Sequence, residues 1–485
     1  MTDRGARSDA GGLDRSLGSR QITMLAVGGA LGTGLFLGSS LAMSMAGPSV
    51  TVLYLVGALC AIALAYALAE MTSAHPEAGG FGRLADRYLG PLAGYVQRWC
   101  YWGCLVVTIG GEIVAAGIYL RFWWPDLPLW VPVAIFTVFI TVVNCAAVSV
   151  FGEVEYWFAL IKVLAVVLFI GFGVTFIFFG AGEHPAAGLG GWTEHGGFAP
   201  NGLKGMLLAL TVTTLAYGGT EAVAMTAAES KNPGRDVPRA ARGAVLRLLL
   251  FYVLGTAVIV SIMPWTETVN VSGVQQSPFV RLFSLVGVPA AADIMNAVVL
   301  TAALSAANIN LYVASRMMHS LSLSGYAPRA LGRTSDRKIP VPAVLASAAG
   351  LIAASIVSAV SPDTAFPVLL GAALFTGMVT WLLIFATHLA FRRAGTEDPT
   401  RTPTVRLPGA PITTALAMTF TFLVLVLTGF VDAFSPAWQA GVPFIAMVAL
   451  SYVLVTHRRQ RVAVTEHRSG TGTADSASAA TSGRM

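Results

Sequence analysis

The sequence predicts an all-α membrane protein with twelve transmembrane helices. Of its 485 residues, 55% are hydrophobic and only 11% are charged, and the mean hydropathy is +0.71. Such values are typical of a chain that lies mostly in lipid. Apolar runs of about 20 residues, the length that crosses a bilayer as a helix, mark the predicted spans. They are residues 21–43, 50–73, 95–122, 129–148, 155–179, 203–228, 244–263, 291–320, 342–360, 366–391, 412–434 and 438–456.

The distribution of basic residues supports this count, because Lys and Arg concentrate in cytoplasmic loops. With the N-terminus inside, all but four of the 30 basic residues fall in segments that would face the cytoplasm. The exceptions are Arg121, Lys162, Lys204 and Arg281. We therefore expect a multi-pass protein of the cytoplasmic membrane with both termini inside. The net charge of +6 then reflects topology in a lipid bilayer, and no nucleic-acid partner is expected.

A glycine-rich run interrupts the first predicted span. It reads Gly28, Gly29, Ala30, Leu31, Gly32, Thr33, Gly34. Each glycine disfavours helix by about 1 kcal/mol relative to alanine, so we expect the helix to stop and restart here. An opened backbone is tolerated inside a membrane only where protein or a ligand satisfies it. The break is therefore a candidate binding site.

A second interruption occurs in the sixth span, five spans later, at Tyr217, Gly218, Gly219 and Thr220. Matching breaks in the first helix of two five-helix halves indicate an inverted-repeat transporter. Free amides near Thr33 and Gly34 would suit a carboxylate, and the carbonyls of 28–30 and 217–219 would suit an ammonium group. The pair predicts a site for a free amino acid, although either cluster alone could equally serve close helix packing.

Ionisable residues inside predicted spans form a second group of candidates, because buried charges are costly in a bilayer and mark a pathway or site. Lys162 could gain and lose a proton during a transport cycle, or be a permanent cation bonded to backbone carbonyls. Glu112 could face substrate or another helix. Glu221 is expected to cap the helix after the second break. Glu153 and Glu155 are expected at a helix start, where the helix dipole accounts for them.

The remaining polar residues give weaker signals. Ser305, Asn308 and Asn310 could coordinate an ion or bond to a neighbouring helix, and the structural use is commoner. The four cysteines all fall in apolar stretches, and the seven histidines show no ligand spacing, so neither disulfides nor a metal site are predicted. No nucleotide-binding or hydrolase motif occurs in the sequence, which disfavours a pump or an enzyme. A proton gradient, and no cofactor, is expected to supply the driving force.

Six segments carry a family resemblance: residues 20–36, 46–48, 151–163, 228–233, 277–280 and 316–328. Together they resemble bacterial amino acid permeases of the amino acid transporter family, in the amino acid–polyamine–organocation superfamily. The resemblance implies the LeuT-type fold, with ten helices in two inverted repeats followed by two accessory helices. It divides the chain into a cytoplasmic tail, two repeats, the accessory helices and a disordered cytoplasmic tail, at residues 1–20, 21–180, 203–391, 412–456 and 457–485.

The same resemblance implies proton-coupled uptake of amino acids by alternating access. It places Lys162 where sodium-coupled relatives bind their ion, with Ser305 as its neighbour. Parts of the chain are similar to proline-type and asparagine-type permeases, so we expect a neutral substrate such as proline, asparagine or alanine. Glu112 follows Gly110 and Gly111, where relatives often carry bulkier residues, which leaves the side-chain pocket undefined. An exchanger and a non-transporting sensor are the alternatives, and a monomer is compatible with the sequence.

Overall fold

The computed structural model describes most of the chain, and every regular element in the described part is helical. The described residues are 31–75, 80–146, 148–180, 185–221, 233–268, 277–285, 289–361, 365–395, 403–435 and 437–456. Three residues of the predicted substrate site, Gly28, Gly29 and Ala30, lie outside them. The helices are α1 (Thr33–Phe36), α2 (Gly38–Ala46), α3 (Val50–Ala74), α4 (Gly80–Tyr88), α5 (Pro91–Leu120), α6 (Trp130–Asn144), α7 (Val148–Phe179), α8 (Gly202–Leu215), α9 (Pro233–Ile262), α10 (Pro278–Leu285), α11 (Pro289–Leu323), α12 (Val341–Val360), α13 (Ala365–Ala394), α14 (Ile412–Thr428) and α15 (Ala437–Thr456).

Within the described ranges, seven helical segments are long and apolar enough to cross a membrane, which agrees with the all-helical membrane fold expected from composition. They are Thr33–Ala74, Pro91–Leu120, Phe151–Phe179, Ala290–Leu323, Val341–Val360, Val368–Ala394 and Ala437–Thr456. Their outer faces expose large apolar side chains, such as Leu168 and Leu450, as lipid contact requires. Shorter apolar helices are Trp130–Asn144, Gly202–Leu215, Leu248–Ile262 and Ile412–Thr428. The count of twelve spans and the inverted repeat stay predictions.

Helix boundaries differ from the predicted spans where a helix extends beyond its uninterrupted apolar run. α7 begins at Val148, seven residues before the predicted start of that span. The short helix α4 was not predicted at all. It buries Phe81 and Leu84 while Arg83 and Arg87 stay exposed, so it is amphipathic and only nine residues long. A search for long apolar runs cannot detect such a helix.

In the described part of the first span, the helix begins at Thr33, inside the glycine-rich run, as the sequence predicted. Residues Leu31 and Gly32 are not helical, α1 makes one turn, and α2 resumes the helix after an interruption at Leu37. The turn into α3 begins at Gly47, whose φ of +61° is rarely adopted by a residue with a side chain. An added Cβ there would also lie 2.5 Å from the Pro200 ring. This turn therefore requires glycine.

The connection before α8, predicted to be an external loop, packs over the end of α2. The Asn201 side-chain amide donates to the carbonyls of Ser44 and Met45 at 3.1 and 2.9 Å. The Ser49 N–H donates to the Phe198 carbonyl at 2.9 Å. These bonds satisfy carbonyls that a helix end leaves without intrahelical partners. They also fix one end of the broken first helix.

A buried polar cluster joins α3, α13 and the start of α14. Glu70 is 1% exposed, and its carboxylate lies 3.1 Å from both His388 Nε2 and Arg392 Nε. The Leu407 N–H donates to the same carboxylate at 2.8 Å. His388 Nδ1 is 3.0 Å from the Thr414 hydroxyl. The cluster compensates a carboxylate that would otherwise be costly to bury.

Replacing Glu70 with Ala is expected to lower the thermal unfolding midpoint of the purified protein. Removing one partner of a fully buried ion pair costs about 3–5 kcal/mol, and the cost here should be lower because Arg392, the remaining cation, is 25% exposed. Differential scanning fluorimetry in detergent measures the shift. Glu153→Ala is the control, since Glu153 is exposed and a surface substitution stays within about 0.5 kcal/mol. Equal midpoints for the two variants would contradict the role given to this cluster.

Candidate functional site

A cavity lies at the centre of the described structure, between α1, α5, the end of α8, α11 and α13. Its volume is about 80 Å³, several times the roughly 10–15 Å³ that a single water requires. A small ligand therefore fits. Polar groups on its wall come from Thr33, Thr108, Glu112, Glu221 and Asn310. Apolar wall residues include Leu105, Leu215, Phe366, Leu369, Leu370 and Met378.

The start of the first broken helix faces this cavity and is capped by a carboxylate from another helix. The Thr33 N–H donates to both carboxylate oxygens of Glu112, at 3.3 and 3.2 Å. Gly32, the N-cap residue, supplies no side chain for this purpose. An added Cβ on Gly32 would lie 2.5 Å from Glu112 Oε1. Glycine at this position thus lets α5 deliver its carboxylate to the helix start, where an anion is favoured.

The second predicted break also lies on the cavity wall. α8 ends at Leu215, and residues 216–221 form turns. Gly219 has a φ of +93°, and its N–H donates to the Glu221 carboxylate at 3.1 and 3.2 Å. Glu221 therefore satisfies backbone within the break itself. Any capping of the chain after Glu221 falls on residues 222–232, outside the described residues.

The two breaks touch each other. A Cβ added to Gly34 would lie 3.1 Å from Cα of Ala216, so the two backbones meet at these positions. The structure brings Gly32, Thr33, Gly34, Gly218 and Gly219 to one cavity, together with Glu112. Among the described residues, the two interruptions thus meet at one cavity.

Two other residues of the predicted site do not line this cavity. Tyr217 is fully buried, and its hydroxyl donates to the Tyr54 carbonyl at 2.9 Å. The Tyr252 hydroxyl donates to the Ala216 carbonyl at 2.6 Å, so a carbonyl at the break is already hydrogen-bonded to a tyrosine. Thr220 is also buried away from the cavity wall. The side chain of Tyr217 therefore supports the backbone of the break, and does not face the space for a ligand.

Lys162 and Ser305 are in direct contact behind the first break. Lys162 is fully buried, and its Nζ donates to the Ser305 hydroxyl at 3.0 Å. Neither residue lines the cavity. Glu112 links the cavity to the Lys162–Ser305 pair, because it lines the cavity and attracts Lys162 electrostatically. The charge of Glu112 thus acts both on the candidate ligand site and on Lys162, one of the two predicted proton-coupling residues.

The interpretation of Glu155 as a residue of a helix start is wrong. α7 begins at Val148, so Glu155 lies two turns inside the helix, beyond the reach of the helix-end dipole. It is 1% exposed and accepts hydrogen bonds from Ser305 at 2.6 Å and Asn308 at 2.5 Å. Glu153, by contrast, is exposed and accepts from the indole of Trp157. The sequence pattern missed Glu155 because Ser149, Gly152 and Glu153 interrupt the apolar run, so the predicted span begins only at Glu155.

Much of the cavity wall could not be predicted from sequence, since its apolar residues look like any others in a membrane helix. One signal was available. Cys104, Thr108 and Glu112 follow one another at intervals of four in α5, so they share one helix face. The opposite wall comes from α13, including Phe366 and Trp381. No local feature of that helix distinguishes these two residues from packing residues.

The fold and this cavity define a class: an integral membrane protein of several apolar helices that encloses a central, partly polar site. Comparison with known proteins gives the family. The family model for amino acid permeases matches residues 21–463. The chain therefore belongs to the amino acid permease family of the amino acid–polyamine–organocation superfamily, whose members are transporters and not enzymes.

Several relatives cover most of this chain. The uncharacterized amino acid permease YtnA of Bacillus subtilis (strain 168) is 39% identical, over 94% of this chain and 98% of its own. The probable threonine/serine transporter YbxG of the same strain is 36% identical, over 91% and 94%. The aromatic amino acid transport protein AroP of Escherichia coli (strain K12) is 38% identical, over 86% and 90%. These names support amino acid transport as the general activity and differ in substrate.

Proposed function

We propose that this protein imports amino acids across the cytoplasmic membrane together with protons, by alternating access around the central cavity. The observation that carries the proposal is the meeting of two broken helices at a cavity whose wall includes Glu112, a carboxylate that attracts the buried Lys162. Broken helices at the centre of a membrane transporter expose backbone groups to a charged substrate. Family membership supports the general activity, and the site geometry supports the proposed mechanism.

The substrate would bind as a zwitterion between the two breaks. Its carboxylate would take the amides at Thr33 and Gly34, where an anion is favoured. In the structure the Thr33 N–H donates to the Glu112 carboxylate, so the substrate carboxylate would displace Glu112 from this hydrogen bond. The released Glu112 and the carbonyls of the second break would then face the ammonium group. Each charge of an amino acid thus has a partner of opposite polarity.

The rest of the cavity suits an uncharged side chain. Its wall is mostly apolar, with Leu105, Leu369 and Met378 opposite the broken helices. Burying an additional charged group among these residues would cost several kcal/mol. The relatives named for threonine/serine and for aromatic amino acids agree with a neutral substrate class. We therefore propose a neutral amino acid as the cargo.

Uptake into liposomes containing the purified protein tests the proposal. Each of the common amino acids is offered with and without an imposed pH gradient, acidic outside. We expect one or a few neutral amino acids to accumulate only when the gradient is present. Uptake that depends on amino acid trapped inside, and not on the gradient, would identify an exchanger instead. Binding without movement of any amino acid would identify a sensor.

Gly111→Ala is expected to shift selectivity toward smaller amino acids. Gly111 lines the cavity, and an added Cβ would lie 3.7 Å from the Leu369 Cβ, an ordinary contact that leaves the fold intact. One methyl group in an apolar pocket is worth about 1–3 kcal/mol of discrimination, or roughly tenfold and more. Competition for uptake by large and small neutral amino acids measures the ratio.

The matched control for this selectivity change is Gly171→Ala. Gly171 lies on an exposed face of α7, and an added Cβ would have no neighbour within 4 Å. We expect it to leave the ratio of large to small amino acids unchanged. If Gly111→Ala also leaves the ratio unchanged, Gly111 does not border the substrate side chain.

A further inference from the structure

We propose that Glu155 is the proton acceptor for Lys162, reached through the hydroxyl of Ser305. The inference rests on the proposed function, since it describes how the proton moves during coupled import. Neither the apolar pattern nor the family resemblance assigned Glu155 a role in proton movement. It follows from a continuous chain of hydrogen bonds in the structure.

The chain runs in one direction from the amine to the carboxylate. Lys162 Nζ donates to Ser305 Oγ at 3.0 Å, and the Ser305 hydroxyl donates to Glu155 Oε2 at 2.6 Å. The other carboxylate oxygen accepts from Asn308 Nδ2 at 2.5 Å. Asn308 in turn accepts from Asn144 Nδ2 at 2.6 Å. Every hydrogen-bond direction needed for transfer from Lys162 to Glu155 is already present.

The transfer needs only side chains that are in contact. An N–H bond of the protonated Lys162 breaks as its proton joins Ser305 Oγ. The original O–H bond of Ser305 breaks at the same time, and that proton joins Glu155 Oε2. The products are a neutral amine, an intact serine hydroxyl and a neutral carboxylic acid. No charge is created, so the step replaces two buried charges with two neutral groups.

All five members of the network are at least 95% buried, so bulk water does not compete for the proton: Asn144, Glu155, Lys162, Ser305 and Asn308. Among the described residues, the charged group that acts on Lys162 besides Glu155 is Glu112 from α5. Ser305 and Asn308, the residues of α11 that bond to Glu155, are neutral. Glu155 is thus the carboxylate linked to Lys162 on the side away from the cavity.

The position of Glu155 gives the transfer a direction. Glu155 and Lys162 are seven residues apart in α7, which is about 10 Å along the helix axis. Glu155 is the nearer to the start of α7, and Asn144 is the last residue of α6. The network therefore leads from the first broken helix toward the α6–α7 connection. In the predicted topology that connection faces the cytoplasm, where an imported proton must leave.

Glu155→Gln tests the relay by separating net import from exchange. Gln keeps the size of the side chain but cannot take up a proton. We expect import driven by a pH gradient to fall by roughly 100-fold, the low end of what a positioned proton-transfer group contributes. Exchange of labelled for unlabelled amino acid requires no net proton release and should persist. The probe is the amino acid with the highest uptake by the unmodified protein.

Two substitutions of Ser305 keep both charges and test the bridge alone. Ser305→Ala removes the hydroxyl and should reproduce the loss of gradient-driven import with exchange retained. Ser305→Thr keeps a hydroxyl and should restore gradient-driven import. A merely structural role would lower exchange and import together in Glu155→Gln and Ser305→Ala.

The outcomes separate the relay from the proposed function. If the unmodified protein shows no gradient-driven import, the proposed function fails. If it does, and Glu155→Gln or Ser305→Ala imports at the unmodified rate, the relay is wrong. Equal loss of import and exchange in both variants, with thermal midpoints unchanged, would also overturn the relay. Selective loss of import, with rescue by Ser305→Thr, supports it.

Discussion

Replacing Lys162 with Met is expected to abolish amino acid import driven by a pH gradient. Met fills a similar volume without a proton site, so the coupling step has no group that can take up and release a proton. The loss should reach roughly 100-fold or more in the initial rate, as expected when a positioned proton-transfer group is removed. Uptake of labelled amino acid into liposomes under an imposed gradient measures it.

The control for Lys162→Met addresses folding. Removing the amine leaves Glu155 as a buried carboxylate without its cation, which costs about 3–5 kcal/mol when a buried pair is broken. The double variant Lys162→Met with Glu155→Gln removes both charges, and should recover thermal stability but not gradient-driven import. Gradient-driven accumulation by the Lys162→Met protein at the unmodified rate would contradict the proton role of this lysine.

Gly34→Leu is the second change with a large expected effect, in this case on binding. An added Cβ at Gly34 would lie 3.1 Å from Cα of Ala216, a backbone atom that cannot rotate away. The rest of a leucine side chain would occupy cavity space at the proposed carboxylate position. We expect substrate affinity to fall by about 100-fold or more, judged by the discrimination that a few carbon atoms exert in a closed pocket. Equilibrium binding of labelled amino acid to the purified protein measures it.

Gly38→Ala is the matched control on the same broken helix. Its added Cβ would meet Val212 at 3.7 Å and the Thr33 carbonyl at 3.6 Å, which are ordinary contacts. This variant should bind substrate nearly as the unmodified protein does. Normal binding by Gly34→Leu would show that the carboxylate site lies elsewhere.

The sequence predicted the helical membrane fold well, because lipid imposes long apolar runs that composition reveals directly. It predicted helix ends less well. α7 extends seven residues before its apolar run, and the short amphipathic helix α4 has no such run. Ser149, Gly152 and Glu153 interrupt the apolar run of α7, and Arg83 and Arg87 interrupt the apolar residues of α4, so hydrophobicity alone does not mark where a helix begins.

The sequence likewise predicted some residues of the candidate site and not others. The glycines of the two breaks were predictable, since glycine weakens helix wherever it lies, and the structure brings Gly34 against Ala216. The sequence could not predict that the Tyr217 side chain points away from the cavity, because its direction depends on packing against Tyr54 and Tyr252. Glu155 was missed because its partners come from a helix some 150 residues further along the chain. Contacts between distant segments leave no periodic signal.

The cavity between the two breaks is expected to bind both charged groups of an amino acid, and competition binding measures this. The best imported amino acid, in labelled form, is displaced by the same compound, by its methyl ester, which lacks the carboxylate, and by the analogue without the amino group. We predict displacement by the amino acid alone. Equal displacement by the ester or by the deaminated acid would contradict a zwitterion site between these helices.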